Sequence, residues 1–410
     1  MVFKNKIIRF LKLFYDLIFN FYQGIGIKAS YVDFLIEFPN KRFFRNSQNI
    51  KTNKNILINS IKSHNIFFNN SSEFIGLNHF SINLKNLLET NLITNWKTII
   101  FLKHSMLYHL WFGSLVNSQY LRNLYRKKLI SFQNNQKILN LNAIRAAIEE
   151  NETLLLYSWI KKKKFSTFDN NVSQIFSDYF KIISKKNQDT SQLSETKMLS
   201  LIKNKEIIII GPAEDEDINS KDHYDVLVGK NYLSRRDEKV HISYYGNFIK
   251  LLSNEKILES LNDLKFACLP PEFLNFFNFT PAQSTKVRGI GKDLRTLMFN
   301  FRSRPNMIQD IVYDILKYNP KKIYLCGITF YLGNKIYRDK SYFNHFPDDK
   351  KKKSIVENLR YGHDPFSNFN ILRNLWINGK IEVSKEVEKV ISITEVQYAK
   401  KLEFNYNKLF

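Results

Sequence analysis

Short apolar runs, each closed by a glycine, an asparagine or a proline, recur in the second half of the chain. They contain few polar residues, which is typical of strands buried on both faces of a parallel sheet. Segments with the apolar spacing of a helix alternate with them, such as NMIQDIVYDILKY at 306–318. This alternation predicts an α/β fold, a Rossmann-like and mostly parallel sheet with helices on both faces. The runs lie at 206–212, 225–231, 240–248, 265–270 and 321–331.

The first half of the chain follows a different pattern. From Phe34 to about Phe180, apolar residues recur mainly at helical spacing between Asn-rich loops, most clearly at 139–160. Residues 184–204 are polar and lack aromatic side chains, which is typical of a linker. We therefore expect a mostly helical N-terminal domain at 1–183, a linker at 184–204 and the α/β domain at 205–410.

The segment at 7–22, IIRFLKLFYDLIFNFY, has the pattern of an amphipathic helix, with four polar residues on one stripe and apolar residues around the rest. Charges within the apolar run make it unlike a signal peptide or a bilayer-spanning helix. One interpretation is a helix in the membrane interface, which implies a cytoplasmic protein at the inner face of the cytoplasmic membrane. The other is a helix that packs on its own domain.

The net charge of the chain is high and positive. Among 410 residues, 62 Lys and Arg stand against 38 Asp and Glu, a formal charge of +24. Such an excess favours an anionic membrane surface or a nucleic acid as partner, although lysine is abundant throughout, as in proteins from A/T-rich genomes. No RRM, KH, helix-turn-helix or zinc-finger motif is visible, which argues against nucleic acid. Cys268 and Cys326 lie in apolar runs, which favours buried free thiols over a disulfide.

Residues at the ends of the predicted strands are candidates for binding, because open α/β sheets bind ligands at the carboxyl ends of their strands. Gly211 and Pro212 follow the first strand, but without the G-x-G-x-x-G motif of dinucleotide-binding proteins. Asn231 and Asn247 lie at the ends of the second and third strands. There a carboxamide can bind a nucleobase or a ribose, or it can cap a turn.

Two further patterns suit phosphate or metal binding. The segment from Ser303 to Asn306 reads as a helix start with a proline in its first turn, which offers free backbone N–H groups to an anion. Four arginines nearby either add to such a site or form a solvated face. Asp215 and Asp217 form a D-x-D string, which is typical either of a site for a nucleotide-bound divalent ion or of a solvated acidic turn.

The fifth predicted strand ends in a glycine, and two tyrosines six positions apart, Tyr331 and Tyr337, follow it. His363 lies further on in RYGHDPFS, a loop with an adjacent carboxylate, where a histidine serves as a general base or as a structural residue. The combination of strand, Gly-Ile-x-Phe-Tyr, second tyrosine and later Gly-His resembles the bacterial sialyltransferases of glycosyltransferase family 42. The resemblance covers about residues 205–370.

The resemblance implies an enzyme with the GT-A-variant, Rossmann-like fold of those sialyltransferases. It would be an inverting transferase that moves a sialic acid, or a related nonulosonic acid or Kdo, from a CMP-sugar to a cell-surface glycan or glycolipid, as in lipopolysaccharide or capsule biosynthesis. In this role Tyr331 and Tyr337 stabilise the departing phosphate and His363 is the general base. No metal or other cofactor is expected, because two phenols can stabilise the single phosphate of CMP as it leaves.

The same resemblance implies the contacts to the nucleotide, with departures from the family pattern. Asn231 matches an asparagine of the family's second strand, and Asn247 is a looser match to one on the third. The family's Gly-Asn-Gly-Pro-Ser turn is reduced here to Ile-Gly-Pro-Ala, and its Gly-Ile-Asp becomes Gly-Ile-Thr. The residues expected to bind the donor are Gly211, Pro212, Asn231, Asn247, Ser303, Asn306, Gly327 and Thr329.

Two other functions remain open on the sequence. A metal-dependent glycosyltransferase with a UDP-sugar donor would use Asp215 and Asp217. A non-catalytic basic protein would bind an anionic membrane surface or a nucleic acid through its charge of +24. The nucleotide that stabilises the protein against heat would separate these functions from a CMP-sugar transferase.

Overall fold

The computed structural model describes residues 102, 106, 110, 115–134, 141–161, 193–230, 240–246, 254–269, 274, 277, 279–290, 307–332 and 364–407. The chain divides into two compact units, 1–132 and 133–410. Most of the described part of the first unit belongs to helix α1, Leu115–Asn134. The hydroxyl of Ser118 donates to the carbonyl of Met106 at 2.8 Å, which ties α1 to an earlier part of the same unit.

The second unit is built on a seven-stranded sheet in which neighbouring strands are parallel. The strands are β1 Glu206–Ile210, β2 Val226–Lys230, β3 Ile242–Tyr244, β4 Phe266–Leu269, β5 Val287–Gly289, β6 Lys322–Cys326 and β7 Glu382–Val383. Their order across the sheet is β5-β4-β3-β2-β1-β6-β7. The predicted α/β fold with a mostly parallel sheet is confirmed, and each of the five predicted runs contains a strand. The short strands β5 and β7 were not predicted.

Helices flank this sheet. They are α2 Leu141–Glu149, α3 Thr153–Lys161, α4 Leu193–Ile202, α5 Asn254–Asp263, α6 Pro281–Ser284, α7 Met307–Leu316, α8 Pro365–Ile377, α9 Lys385–Ile391 and α10 Glu395–Asn407. A 3-10 helix, Glu216–His223, lies between β1 and β2. Helix α8 contacts α2, α7, α9 and α10, so it connects both early and late parts of the unit.

The core lies against the interior strand β1, in which every residue from Ile207 to Ile210 is buried. Successive side chains of a strand point to opposite faces, so this run needs apolar partners on both sides of the sheet. Ile210 shares one buried cluster with Leu227 of β2. Burial of one such side chain contributes about 1.5–3 kcal/mol, which accounts for the interior position of the isoleucine-rich strand. Cys268 and Cys326 are buried free thiols, as predicted.

The second unit begins earlier in the chain than the α/β domain proposed from sequence. Helices α2 and α3 fall in the predicted N-terminal domain and α4 in the predicted linker, yet all three belong to this unit. In α4, Met198 and Ile202 are buried, and the Glu195 carboxylate pairs with Arg288 of β5 at 2.7 Å. The polar composition of 184–204 concealed the helix because its buried face consists of only a few side chains.

Among the helices that the structure describes, none is both long and apolar enough to cross a bilayer. The amphipathic segment predicted at 7–22 lies outside the described residues. Its two interpretations, a helix in the membrane interface and a helix packed on its own domain, therefore stay predictions.

Candidate active site

The carboxyl end of β1 is the point where the strand order changes direction. The chain continues from β1 to β2 on one side, whereas β6 pairs with β1 on the other, with Ile210 opposite Cys326. Open α/β sheets bind ligands beyond the carboxyl ends of their strands at such a point. Gly211 and Pro212 continue from β1 and Gly327 continues from β6, so three residues predicted to bind the donor lie at this switch point.

Gly211 and Gly327 approach each other closely beyond the ends of their strands. The Gly211 N–H donates to the carbonyl of Cys326 at 2.8 Å, and the Ala213 N–H donates to the carbonyl of Gly327 at 2.8 Å. A Cβ atom on Gly211 would overlap the Gly327 carbonyl, and Gly327 itself has a φ of +68°, a left-handed conformation that favours glycine. Both glycines are therefore required by the local backbone, which continues the β1–β6 pairing past the sheet.

The carboxylates of the D-x-D string accept from different residues, and the Asp217 N–H itself donates to Asp215 Oδ1 at 3.1 Å. The Asp215 carboxylate accepts from the Gly327 N–H at 2.8 Å and from the hydroxyl of Ser384, the N-cap residue of α9. The Asp217 carboxylate accepts from the hydroxyl of Tyr324. Both aspartates are partly buried, so the string is not a solvated turn. Within the described ranges, no group of three or more His, Cys, Asp or Glu could hold a metal ion.

The turn after β6 has an unusual backbone where it carries Tyr331. Phe330 and Tyr331 have φ angles of 48° and 66°, a left-handed conformation that costs a residue other than glycine about 1–3 kcal/mol. The Leu332 N–H closes the turn by donating to the Thr329 carbonyl at 2.9 Å. Two such residues in succession persist only where surrounding contacts outweigh the cost, and such conformations are enriched at functional sites.

Helix α10 supplies the contacts that hold this turn. The Tyr398 hydroxyl donates to the Phe330 carbonyl at 2.8 Å, and the Asn405 side-chain amide donates to the Leu332 carbonyl at 3.0 Å. The Tyr398 ring is fully buried and stacks on Phe369 of α8, with ring centroids 4.3 Å apart. Helix α10, near the end of the chain, therefore forms part of the candidate site.

Tyr398 also connects the turn to the segment that follows the predicted base. Burial raises the pKa of its phenol well above the ordinary value, and the nearby Tyr331 and Asp364 raise it further. Asp364 directly follows His363 in the chain. Its carboxylate accepts from two N–H groups of the first turn of α8, each at 3.1 Å, and so forms the N-cap of that helix. The Tyr398 ring also packs edge-on against Phe366 in that first turn, with ring centroids 5.9 Å apart, so it contacts the helix that begins directly after His363 in the chain.

A buried ionic cluster fixes the start of α8. Arg145 and Glu149 of α2 form an ion pair at 3.0 Å, and both side chains are buried. The Ser367 hydroxyl accepts from Arg145, donates to Glu149 and lies 3.3 Å from the Asp364 carboxylate. From α7, the Gln309 amide donates to the Ser367 carbonyl at 3.1 Å. Sequence analysis missed this cluster, since no local pattern links α2 to α8.

Six predicted site residues lie outside the described residues, and their roles stay predictions. They are Asn231, Asn247, Ser303, Asn306, Tyr337 and His363. Gly246 precedes Asn247 in the chain, and Met307 follows Asn306. These two neighbours are in close contact, because a Cβ atom on Gly246 would overlap the methyl end of Met307. The carboxyl end of β3 therefore lies against the start of α7.

Comparison of the chain with models of protein families, with curated proteins and with solved structures finds no match in any of the three.

Proposed function

We propose that the protein is an inverting glycosyltransferase that moves a sialic acid, or a related nonulosonic acid or Kdo, from a CMP-sugar to a glycan hydroxyl. The second unit would then be a Rossmann-like catalytic domain of the GT-A-variant type. One observation carries the proposal: Tyr331 lies on a left-handed turn held by Tyr398, and the Tyr398 ring packs on Phe366 in the first turn of α8, whose N-cap directly follows His363 in the chain.

The chemistry assigns each residue a distinct task. An acceptor hydroxyl attacks the anomeric carbon, and the bond from that carbon to the phosphate oxygen breaks, so that its electron pair leaves with CMP. His363 takes the proton of the acceptor hydroxyl. The hydroxyls of Tyr331 and Tyr337 donate to the phosphate as its charge grows, which lowers the barrier without a metal ion. Attack opposite to the leaving group inverts the configuration.

The hydrogen bonds of the D-x-D string favour this metal-free reaction over the metal-dependent alternative. Asp215 already accepts from Gly327 and Ser384, and Asp217 accepts from Tyr324. A divalent ion prefers several free oxygen ligands around one point. Recruiting Asp215 would break its contact with Gly327, and recruiting Asp217 would break its contact with Tyr324, so we assign both a structural role in the transferase.

The acceptor and the place of action follow from the same proposal. A transferase of this class would act on a surface glycan or glycolipid, in lipopolysaccharide or capsule biosynthesis. The excess of basic residues suits work next to anionic head groups, where each lysine or arginine near the surface contributes about 1 kcal/mol. The segment at 7–22 would hold the enzyme at the inner face of the cytoplasmic membrane.

Thermal unfolding in the presence of nucleotides tests the proposal. CMP or CDP at about 100 times its dissociation constant should stabilise the protein by about 2.7 kcal/mol, whereas UDP and NAD should not. With a CMP-sugar donor, His363→Ala should lower turnover by about 10² to 10⁴ while CMP still protects the protein. Stabilisation by UDP with Mn²⁺ but not by CMP would establish the metal-dependent alternative instead.

A further inference from the structure

Helices α7 and α8 both begin at the carboxyl edge of the sheet. Met307, the first residue of α7, contacts Gly246, which follows β3. In the first turn of α8, Phe366 packs on the ring of Tyr398, and the Tyr398 hydroxyl donates to the carbonyl of Phe330 in the turn after β6. The first turns of both helices therefore lie at the edge where open α/β sheets bind their ligands.

In the proposed transferase, these two helix starts serve the two reactants. The segment from Ser303 to Asn306 directly precedes α7 and is expected to bind the donor. His363, the expected base, directly precedes Asp364, the N-cap residue of α8. Consecutive Cα atoms are about 3.8 Å apart, so a shift of either first turn moves the residue before it. Because a misplacement of about 1 Å can cost about 10² in rate, the separation of the two first turns matters for transfer.

Gln309 links the two first turns directly. It is fully buried near the start of α7, and its side-chain amide donates to the carbonyl of Ser367, near the start of α8, at 3.1 Å. Within the described part of the chain, its Oε1 atom has no hydrogen-bond partner. Burying an amide with one atom unpaired is unfavourable, so an apolar side chain would pack α7 against α8 at lower cost. Packing alone therefore does not explain a glutamine at this position, whereas its hydrogen bond to α8 does.

The Ser367 end of this bond is held firmly. The Ser367 N–H donates to the Asp364 carboxylate at 3.1 Å. Its hydroxyl accepts from Arg145 and donates to Glu149, and both of these side chains of α2 are buried. Hydrogen bonds to charged groups are stronger than those between neutral groups, so they hold Ser367 in one position. The bond from Gln309 thus ties the first turn of α7 to a fixed point in the first turn of α8.

We propose that Gln309 is a positioning residue of the transferase, which sets the separation between the donor site before α7 and the general base before α8. The inference rests on the proposed transferase function. Gln309 acts through the two helices rather than on a reacting atom, so its loss should slow transfer without weakening the binding of donor.

Gln309→Met tests the inference, because methionine keeps the length of the side chain but cannot donate to Ser367. With a CMP-sugar donor, kcat for transfer should fall about tenfold or more, while the KM for donor and the Kd for CMP, measured by thermal unfolding, should stay within about twofold of the wild-type values. The acid limb of the pH profile should keep its midpoint, since the base itself is unchanged. Gln309→Leu, which also lacks a donor, should behave in the same way.

Gln283→Met is the matched control. The Gln283 side-chain amide also donates to a backbone carbonyl, that of Leu258 at 3.5 Å, and Gln283 completes the capping box of α6. Because α6 directly precedes β5, it lies at the amino edge of the sheet, away from the candidate site. The control variant loses a hydrogen bond of the same kind and should keep the wild-type kcat.

Three outcomes would refute the positioning role and leave the proposed function standing, provided that the wild-type protein binds CMP and transfers. In the first, Gln309→Met keeps the wild-type kcat or lowers it only together with a higher KM for donor. In the second, Gln283→Met loses as much kcat as Gln309→Met. In the third, both Gln309 variants fail to fold while Gln283→Met folds, so that Gln309 serves stability alone. If the wild-type protein neither binds CMP nor transfers from a CMP-sugar, the proposed function fails, and this inference fails with it.

Discussion

The Tyr398 hydroxyl donates a hydrogen bond of 2.8 Å to the carbonyl of Phe330, across 68 positions of the chain. Phe330 is the first of the two left-handed residues of the turn, and Tyr331 is the second. The bond therefore acts on the peptide that joins them. Because the Tyr398 ring is buried against Phe369, the donor is held in place, and the left-handed turn is stabilised by the tail of the chain.

Tyr398→Phe should separate the contribution of the hydrogen bond to stability from the contribution of ring packing. The variant keeps the ring stack on Phe369 but leaves the Phe330 carbonyl without its donor, so the free energy of unfolding should fall by about 1–3 kcal/mol. Turnover should fall as well, because Tyr331 loses its position, while the affinity for CMP changes little. Urea denaturation and steady-state kinetics measure the two effects. Tyr157→Phe, at an exposed site, is the control, and equal stability of both variants would contradict a role for the bond.

Asp215→Asn tests the structural role of the D-x-D string. The Gly327 N–H and the Ser384 hydroxyl both donate to Asp215 Oδ2, whereas the Asp217 N–H donates to Oδ1 at 3.1 Å. An Asn side chain offers only one acceptor oxygen, so its NH₂ group faces a donor on one of these two sides. We expect a loss of about 1–3 kcal/mol in the free energy of unfolding. Activity of the wild-type protein should persist in EDTA. Glu216→Gln, at the exposed neighbour, should change neither property; loss of wild-type activity in EDTA would instead favour a metal ion at the aspartates.

The strands were predictable from sequence where burial on both faces leaves a continuous apolar run, as in EIIII of β1. The missed strands lie at the two edges of the sheet and are only two or three residues long. β5 contains Arg288 and β7 contains Glu382, and a charged residue in such a short run removes the apolar signal. The buried Arg288 is accommodated because it forms ion pairs with Glu195 of α4 and Asp314 of α7, and such distant partners give no local signal.

The candidate site was predictable only in its local part. Gly211, Gly327 and Tyr331 were found because their motifs are contiguous with strands. The partners of Asp215 lie 112 and 169 positions away, so the D-x-D string was interpreted as a metal site or a solvated turn. Arg145 similarly meets its partner on α8 across 222 positions. Contacts of this range arise from the packing of helices, and a single sequence contains no signal for them.

Arg145 and Glu149, the ion pair of the cluster that fixes the start of α8, should show strong energetic coupling in a double-mutant cycle. Arg145→Met leaves the Glu149 carboxylate buried without its cation, so the free energy of unfolding should fall by about 3–5 kcal/mol. The double variant Arg145→Met/Glu149→Leu should lose less than the sum of the single variants, since an apolar pair replaces a buried ion pair at little net cost. Glu386→Gln removes an exposed ion pair with Lys389 and should have no measurable effect. If the double variant lost as much free energy of unfolding as the two single variants together, the two charges would not act as a pair.

His241 should make the protein sensitive to mild acid. Burial is the main cause that lowers its pKa below 6.5, and Lys265 lowers it further. Its Nδ1 accepts from the Leu227 N–H at 3.1 Å, which requires the neutral ring. Below about pH 6.5 the unfolded chain therefore binds this proton first, and the free energy of unfolding falls until the folded pKa is passed.

His241→Gln removes this titration, so its loss of stability between about pH 7.5 and about pH 5.5 should be smaller than that of the wild-type protein. Urea denaturation at several pH values measures the two slopes. The exposed His223 offers a control, and His223→Gln should keep the wild-type slope. Because the comparison uses slopes rather than absolute stabilities, the constant cost of replacing the ring cancels. A His241→Gln slope equal to that of the wild type would mean that other groups cause the acid sensitivity.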